Sequence, residues 1–163
     1  MIELIPLRPV HAGAVLKIYG EGLASGNATF NTEVPSWEAW NGNHHQHTRF
    51  VAIENGEVLG WIALSPVSSR ACYNGVAEFS IYIAAAHRGK GIGNTLMEKM
   101  IAESEVNGIW TLYSSTFETN TASIELQKKF GFRVIGYRER IAKLNGVWHN
   151  TIVLERRSKI TGN

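Results

Sequence analysis

The segment from Gly75 to Asn107 constrains the fold more than any other, because a glycine-rich turn joins a strand pattern to a helix pattern there. The stretch "GVAEFSIYIA" alternates apolar and polar residues, which indicates a strand, and residues 91–107 have helical apolar spacing. Between them, "HRGKGIGNT" at 87–95 holds three glycines within five positions, together with Arg88 and Lys90. A helix that begins at such a turn presents unpaired amides and the positive end of its dipole. The segment therefore predicts a site for a phosphate-bearing ligand.

The glycine spacing excludes the two best-known nucleotide-binding loops. A P-loop requires Gly-x-x-x-x-Gly-Lys-Ser/Thr, and a dinucleotide fingerprint requires Gly-x-Gly-x-x-Gly with an acidic residue about 20 positions later. Residues 89–94, "GKGIGN", follow neither pattern, since their glycines recur at every second position. A flexible strand-to-helix turn is the alternative, but the two cations and the glycines at a helix start favour a diphosphate.

The remaining patterns predict a single mixed domain. Asn55-Gly56 and Asn145-Gly146 each separate two apolar runs, which is the pattern of a tight β-hairpin. The predicted order is β-α-α-β-β-β-α-β-α-β-β, whose run of three strands does not fit a regular βαβ repeat. We therefore expect an α+β fold (a mixed-sheet α/β fold) in one domain over residues 1–163. The other predicted elements are a strand at 2–8, a helix beginning at Pro9, a short helix that ends at Gly42, a strand at 109–116 and a helix from Asn120 to Phe130.

Charge and composition narrow the class of partner. The formal charge of +2 is too small for the basic stripe of a nucleic-acid-binding protein. No apolar run approaches the about 20 residues of a membrane span, and the N-terminal residues lack the pattern of a secretion signal. The single cysteine, Cys72, cannot form an internal disulfide. We therefore expect a cytoplasmic protein with no nucleic-acid or membrane partner.

Several motifs, in order along the chain, resemble those of the GNAT acyltransferase superfamily. The pattern Arg88-x-x-Gly91-x-Gly93 after "EFSIYI" resembles its acyl-CoA pyrophosphate loop, and "NTASIELQKKFGF" resembles its later helix. Within the superfamily, "GWIALSP", "HRGKGIG" and "GVWHNT" are similar to the phosphinothricin and methionine sulfoximine N-acetyltransferase group. The resemblance implies a central mixed sheet of about seven strands flanked by helices. It also implies an acetyl-CoA-dependent N-acetyltransferase.

The cofactor site expected for acetyl-CoA combines the loop with parts of the adjacent strand and a later helix. The loop amides and its two cations suit the diphosphate, whereas the resemblance implies main-chain contacts of the strand with the pantetheine arm. The resemblance also implies that Asn120, Ser123 and Lys129 contact the cofactor. Asn120 could equally cap the helix, and Lys129 could be a solvated charge. The expected cofactor-binding residues are Ile81, Tyr82, Ile83, Arg88, Gly89, Lys90, Gly91, Ile92, Gly93, Asn94, Asn120, Ser123 and Lys129.

Glu78 is the leading candidate for the general base. Alternation in the strand places it on a polar face with Ser80 and Tyr82, and such a face is costly to bury without a function. A carboxylate there can accept the proton that an ammonium group must lose before it attacks a thioester. A structural ion pair with Arg70 is the alternative. The resemblance implies an acid at this position, and it makes His149 of "GVWHNT" a second catalytic candidate, with a plain hairpin residue as the alternative.

Gln127 marks a departure from the family pattern. Many members carry a tyrosine that acts as general acid at the corresponding position, and a glutamine has no ionisable proton to give. The acid step is therefore in doubt for this chain. A CoA thiol, with a pKa near that of cysteine at about 8.5, leaves as a thiolate without much help.

The acceptor that the resemblance implies is a small amino-acid analogue acetylated on its α-amine, namely methionine sulfoximine, methionine sulfone or phosphinothricin. Another amine, such as a polyamine, an aminoglycoside or a protein N-terminus, is one alternative, and a non-catalytic acyl-CoA-binding module is another. In the expected site Arg70 holds the acceptor's anionic group. The resemblance also implies a homodimer. The expected substrate-binding residues are Phe30, Arg70, Ala71, Cys72, Tyr73 and Glu78.

The "HHQH" stretch at 44–47 raises the question of a metal. His44 and His47 are three positions apart and could share a face of the short predicted helix. No carboxylate or cysteine follows at ligand spacing, so we expect no metal and interpret the stretch as a solvated helix end.

Overall fold

The computed structural model describes all residues from Met1 to Asn163 and contains seven strands and four α-helices, in the predicted order. Single 3₁₀ turns precede the first helix, the fourth strand and the third helix. The elements are β1 (Glu3–Pro6), α1 (Ala12–Ser25), α2 (Trp37–Gly42), β2 (Phe50–Glu54), β3 (Glu57–Pro66), β4 (Val76–Ile83), α3 (Ile92–Val106), β5 (Thr111–Phe117), α4 (Thr121–Lys129), β6 (Arg133–Leu144) and β7 (Val147–Arg157).

All seven strands form one mixed sheet, in the spatial order β1-β2-β3-β4-β5-β7-β6. Every neighbouring pair is antiparallel except β4 and β5, which run parallel. The predicted mixed-sheet α+β fold is therefore confirmed, and its one parallel pair lies at the centre of the sheet.

Both predicted hairpins are present. Asn55 and Gly56 have φ angles of 52° and 79°, and Asn145 and Gly146 have φ angles of 49° and 80°. Two consecutive residues with positive φ are the requirement of a type I′ turn, which asparagine followed by glycine meets at low cost. These turns set the pairing of β2 with β3 and of β6 with β7.

The helices cover the sheet on both faces. The predicted row Ile92, Leu96 and Met100 of α3 is buried against one face, in a cluster that includes Ile62 and Phe79. On the other face, α1 and α2 contribute side chains such as Val15 and Trp40 to a second cluster around Trp61. None of the four helices is both long and apolar enough to cross a membrane.

The parallel pair at the centre of the sheet is short. At its start, the amides of Trp110 and Thr111 both donate to the carbonyl oxygen of Gly75, at 2.8 and 3.1 Å. The strands then pair only from Val76 with Thr111 to Glu78 with Tyr113. Beyond Glu78 they separate, while β4 remains paired with β3 as far as Ile83. The edge of β4 from 79 to 83 that faces β5 therefore has no strand partner.

Candidate active site

The separation of β4 from β5 opens a cavity of about 1080 Å³. One wall is β4 with the loop after it, and the opposite wall is β5 with the start of α4; α1 and the segment that follows it close one side. The structure thus brings most of the expected site residues to one cavity. Those that line it are Phe30, Glu78, Ile81, Tyr82, Ile83, Arg88, Gly89, Gly91, Ile92, Gly93, Asn94, Asn120 and Ser123.

The glycine loop presents its backbone to this cavity. Gly89 and Gly91 have φ angles of 77° and 81°, which side chains with a Cβ adopt only under strain. The amides of residues 88–94 donate no hydrogen bond within the protein. Because unpaired amides at a helix start attract anions, the loop has the donors that a diphosphate requires.

The loop lysine and the helix lysine lie outside the cavity lining. Lys90 Nζ donates to His87 Nδ1 at 3.3 Å, and Lys129 Nζ donates to Asn94 Oδ1 at 2.7 Å. Lys129 is exposed and connects α4 to the loop through this bond. Both cations lie beside the loop and add positive potential to it.

Asn120 caps α4, as one of its two predicted roles requires. Its side-chain oxygen accepts a hydrogen bond from the amide of Ser123 at 3.3 Å, and both residues line the cavity. The Asn120 side-chain amide N–H groups make no hydrogen bond within the protein. They stay free to donate to a ligand, so capping and ligand binding are compatible.

Gln127 lies at the centre of a buried hydrogen-bond network that sequence patterns did not predict. Its side chain is 1% exposed, and its Oε1 accepts a hydrogen bond from the hydroxyl of Ser114. Its Nε2 donates to Thr116 Oγ1 at 2.9 Å and to Ser123 Oγ at 3.1 Å. Both amide hydrogens are thereby used within the protein. The residue at the family's acid position therefore joins β5 to α4 and has no proton to supply.

Glu78 lies where the two central strands part, opposite Ser65 on β3 and Tyr113 on β5. Its half-buried carboxyl group makes no ion pair and no hydrogen bond, and burial raises its pKa. The alternative pairing with Arg70 is not formed, since the Arg70 guanidinium lies over the Tyr73 ring at 5.4 Å. A carboxyl group with a raised pKa and no cationic partner has the properties of a general base.

The side chain of Tyr82 is held away from the loop by α1. Its ring stacks on Trp61 with a centroid distance of 5.1 Å and contacts the surface of α1 at Gly22, where a Cβ would lie 2.5 Å from a ring carbon. Burial raises the pKa of the Tyr82 phenol, which stays protonated. Its backbone faces the cavity with those of Ile81 and Ile83, so the main-chain role expected for these residues is sterically open.

Of the other expected acceptor-binding and catalytic residues, only Phe30 lines the cavity. Phe30 lines the cavity and packs on Phe117 at 4.6 Å, and His149 stacks on the far side of this pair, 4.8 Å from Phe117. His149 does not itself line the cavity. The residues from Arg70 to Tyr73 form an exposed turn between β3 and β4 and also lie outside the lining.

The histidine stretch differs from its interpretation as a solvated helix end. Helix α2 ends at Gly42, so His44 and His47 do not share a helical face. His44 is half-buried and lines the cavity. Its ring stacks on that of Trp40, with the ring centroids 4.0 Å apart. No group of three or more potential ligands is placed to hold a metal ion. Trp40, His44 and Trp61 are cavity residues that the sequence analysis did not assign to the site.

Comparison with known proteins identifies the family of this chain. The model of the acetyltransferase (GNAT) family matches residues 18–132, which is most of the chain. The chain belongs to the GNAT acetyltransferase family. It is therefore an acetyl-CoA-dependent N-acetyltransferase.

Similar proteins are named for small amino-acid acceptors. YwnH of Bacillus subtilis, provisionally named a phosphinothricin acetyltransferase, is 34% identical over 148 residues, which cover 88% of this chain and 91% of YwnH. The L-methionine sulfoximine/L-methionine sulfone acetyltransferase of Pseudomonas aeruginosa is 24% identical over 82% of this chain and 81% of its own. A phosphinothricin acetyltransferase from Sinorhizobium meliloti, solved with acetyl-CoA, superposes with a TM-score of 0.87 over 99% of this chain and 94% of its own, at 24% identity.

The unpaired carboxyl group of Glu78 should make the stability of the protein depend on pH. Because burial raises its folded-state pKa, the stability due to its protonated form is fully present below the unfolded-state pKa, near 4.5. That contribution is lost as the pH rises through the folded-state pKa. Glu78→Gln should therefore be more stable than the parent protein at about pH 8, and the difference should shrink toward about pH 4. Urea denaturation at several pH values measures this.

The matched control is Glu98→Gln, which changes an exposed glutamate of α3 that makes no ion pair. Its stability should follow that of the parent protein at every pH. A Glu78→Gln variant that is less stable than the parent at about pH 8 would show that the carboxylate has a stabilising partner, such as Arg70.

Proposed function

We propose that the protein transfers the acetyl group of acetyl-CoA to the α-amine of a small amino-acid analogue, with methionine sulfoximine, methionine sulfone and phosphinothricin as the preferred acceptors. The observation that carries this proposal is the carboxyl group of Glu78, which has no partner and faces the cavity where β4 and β5 part. The names of two relatives, from Bacillus subtilis and Pseudomonas aeruginosa, support the acceptor class.

The residues present fit acetyl-CoA along one side of the cavity. The free amides of residues 88–94 suit the diphosphate, with Arg88 and Lys90 adding charge. The unpartnered edge of β4 at residues 81–83 can pair with the amides of the pantetheine arm as an added strand would. Asn120 and Ser123 face this edge from α4, and Lys129 holds Asn94 of the loop.

The residues of this chain account for the proton transfers. Bound acetyl-CoA supplies the thioester that the amine attacks. Glu78 accepts a proton from the acceptor ammonium group, directly or through water, because its raised pKa makes it a stronger base than an exposed carboxylate. Gln127 gives no proton to the leaving sulfur, and a thiolate needs little help. We assign direct attack with no covalent enzyme intermediate, since Cys72 is exposed and outside the cavity.

The acceptor fits the other side of the cavity, beside Glu78. Phe30 forms one wall there, and Trp40 and Trp61 add aromatic surface. The turn of Arg70, Ala71, Cys72 and Tyr73 joins β3 to β4 at the end of the strand pair where Ser65 faces Glu78. From this position Arg70 is the candidate clamp for the acceptor's carboxylate, sulfoximine or phosphinate group. His149 supports the wall through Phe117.

An acceptor panel tests the proposed function. The purified protein is given acetyl-CoA with methionine sulfoximine, methionine sulfone, phosphinothricin, a polyamine, an aminoglycoside and a peptide N-terminus, and released thiol and acetylated product are measured. The three amino-acid analogues should give the highest kcat/KM. Glu78→Gln should lose about 100-fold or more of kcat and still bind acetyl-CoA, because only the proton acceptor is removed.

A higher kcat/KM for a polyamine, an aminoglycoside or a peptide would show that the acceptor belongs to that class and not to the amino-acid analogues. Tight acetyl-CoA binding with no turnover of any amine would favour a non-catalytic acyl-CoA-binding module. Unchanged turnover in Glu78→Gln would remove Glu78 from the mechanism.

The loop glycines provide a second test, with a matched control at the other end of α3. Gly91 and Gly108 have φ angles of 81° and 79°, and a Cβ on either would contact nothing within 4 Å. Alanine at each position should therefore cost a similar, about 1–2 kcal/mol, backbone strain. Only Gly91→Ala should raise the KM for acetyl-CoA, about tenfold, because only Gly91 orients loop amides. Steady-state kinetics and thermal unfolding separate these effects, and an equal KM change in both variants would contradict the loop assignment.

We further propose that the protein is a homodimer formed through the hairpin of β6 and β7. β6 is one of the two edge strands of the sheet, so its free edge can pair with the same strand of a second copy. The hairpin of β6 and β7 is unusually apolar for a surface, with six large apolar side chains each at least 44% exposed. The exposed apolar residues are Val134, Ile135, Tyr137, Ile141, Val147 and Trp148.

Light scattering after size exclusion tests the dimer. The parent protein should have twice the mass of the 18.1 kDa chain, and Ile141→Glu should be monomeric because it places a charge in the apolar face. Val106→Glu, at an exposed position on α3, is the control and should stay dimeric. A parent protein that is monomeric throughout would contradict the proposal.

The cytoplasm is the compartment we propose. Cys72 is an exposed free thiol, and such a thiol is best preserved under reducing conditions.

A further inference from the structure

His44 lies above the polar face on which Glu78 is placed. The face consists of three cross-strand rows of β3 and β4, namely Trp61 with Tyr82, Ala63 with Ser80, and Ser65 with Glu78. The ring of His44 meets the edge of Trp61 at a centroid distance of 6.3 Å. The amide of the next residue, His45, donates to the carbonyl oxygen of Leu64 at 2.8 Å. His44 therefore packs at the Trp61 end of this face and lines the same cavity as Glu78.

The hydrogen bond of His44 defines its tautomer. Nδ1 lies 2.5 Å from the carbonyl oxygen of Trp40. A carbonyl oxygen can only accept, so Nδ1 carries the proton and the neutral ring has its lone pair on Nε2. Stacking on Trp40 at 4.0 Å fixes the ring plane. The imidazole is thus oriented by two contacts with one residue of α2.

The lone pair on Nε2 is unused and accessible. His44 Nε2 makes no hydrogen bond in the protein, and it is not among the buried side-chain nitrogens without a partner. His45 Nε2, by contrast, is both buried and without a partner. Since His44 lines the cavity, its free acceptor is available to a ligand there.

The charges around His44 favour its neutral form. Burial lowers its pKa, and Arg49 and His45 on its own segment lower it further, while the bond to Trp40 acts in the opposite direction. A neutral ring can accept a hydrogen bond at neutral pH, whereas an imidazolium would repel an ammonium group. The other titratable groups that face the same cavity are Glu78 and Tyr82 on β4, Tyr19 on α1, Glu33 in the segment after α1, and His87 and Arg88 in the loop after β4.

We propose that His44 binds the acceptor amine through Nε2, and so positions the nitrogen between itself and Glu78. This inference rests on the proposed function, because it names a second contact for the same acceptor. An ammonium group has three N–H bonds, and two acceptors on one face of the cavity satisfy two of them while one proton passes to Glu78. His44 is therefore a specificity residue for a primary amine.

Two substitutions separate hydrogen bonding from ring packing. His44→Phe keeps the aromatic stack on Trp40 and removes the acceptor, so KM for the amine should rise about tenfold or more. His44→Gln can place an amide oxygen near the position of Nε2 and should recover most of this loss. The KM for acetyl-CoA should stay unchanged in both variants. A change of less than about twofold in His44→Phe would overturn the proposal.

The pH dependence is the second readout. In the parent protein, KM for the amine should rise as the pH falls through the pKa of His44, because protonation abolishes the acceptor. His44→Gln should lack this step. His47→Gln is the matched control, because His47 stacks on His45 and lies outside the cavity lining. The same rise in amine KM in His47→Gln would show a general effect of the segment and contradict a specific role of His44.

A measurement without turnover keeps this proposal apart from the proposed function. Nitrogen-15 spectra of histidine side chains, assigned with His44→Gln, should show the Nδ1–H tautomer of His44. Adding methionine sulfone as the probe amine should shift His44 Nε2 and leave His47 unchanged. Turnover of no amine in the panel would refute the proposed function, whereas a protonated Nε2 or an unmoved Nε2 signal would refute the assignment to His44 alone.

Discussion

The separation of β4 and β5 after only three paired positions is the constraint on which the site depends. The pairing is anchored at Gly75, whose carbonyl oxygen accepts two amide hydrogen bonds from the start of β5. Beyond Glu78 each strand follows its outer neighbour, β3 or β7, which stays paired along its length. A sheet that opens in this way creates a cavity and a free strand edge without breaking its hydrophobic core, which continues on both faces.

Polar side-chain contacts, in addition to strand pairing, fix the position of β5 at the opening. Ser114 and Thr116 of β5 bond to the buried side chain of Gln127 on α4, so this strand is bound to the helix that forms the same wall of the cavity. A tyrosine hydroxyl has a single O–H and could not donate to both Thr116 and Ser123, as the Gln127 amide does. Gln127 therefore gives this wall of the cavity a fixed polar network and supplies no acid.

Features with a local cause could be predicted from the sequence, and those that arise from contacts between distant segments could not. The turns at Asn55-Gly56 and Asn145-Gly146 and the cap at Asn120 follow from the chemistry of adjacent residues. The side-chain bonds of Gln127 involve β5, eleven or more residues earlier in the chain. His44 looked solvated because its neighbours in sequence are polar, whereas its cavity position depends on Trp61 of β3.

A ligand that pairs with the free edge of β4 takes the position of a missing strand in the sheet. A molecule that pairs with residues 81–83 completes the sheet, and it can do so only in the folded chain, since the unfolded chain has no such edge. Binding to the native state alone adds stability that grows with the ratio of ligand concentration to its dissociation constant. The folded protein is therefore expected to resist unfolding better as the concentration of its acetyl donor rises.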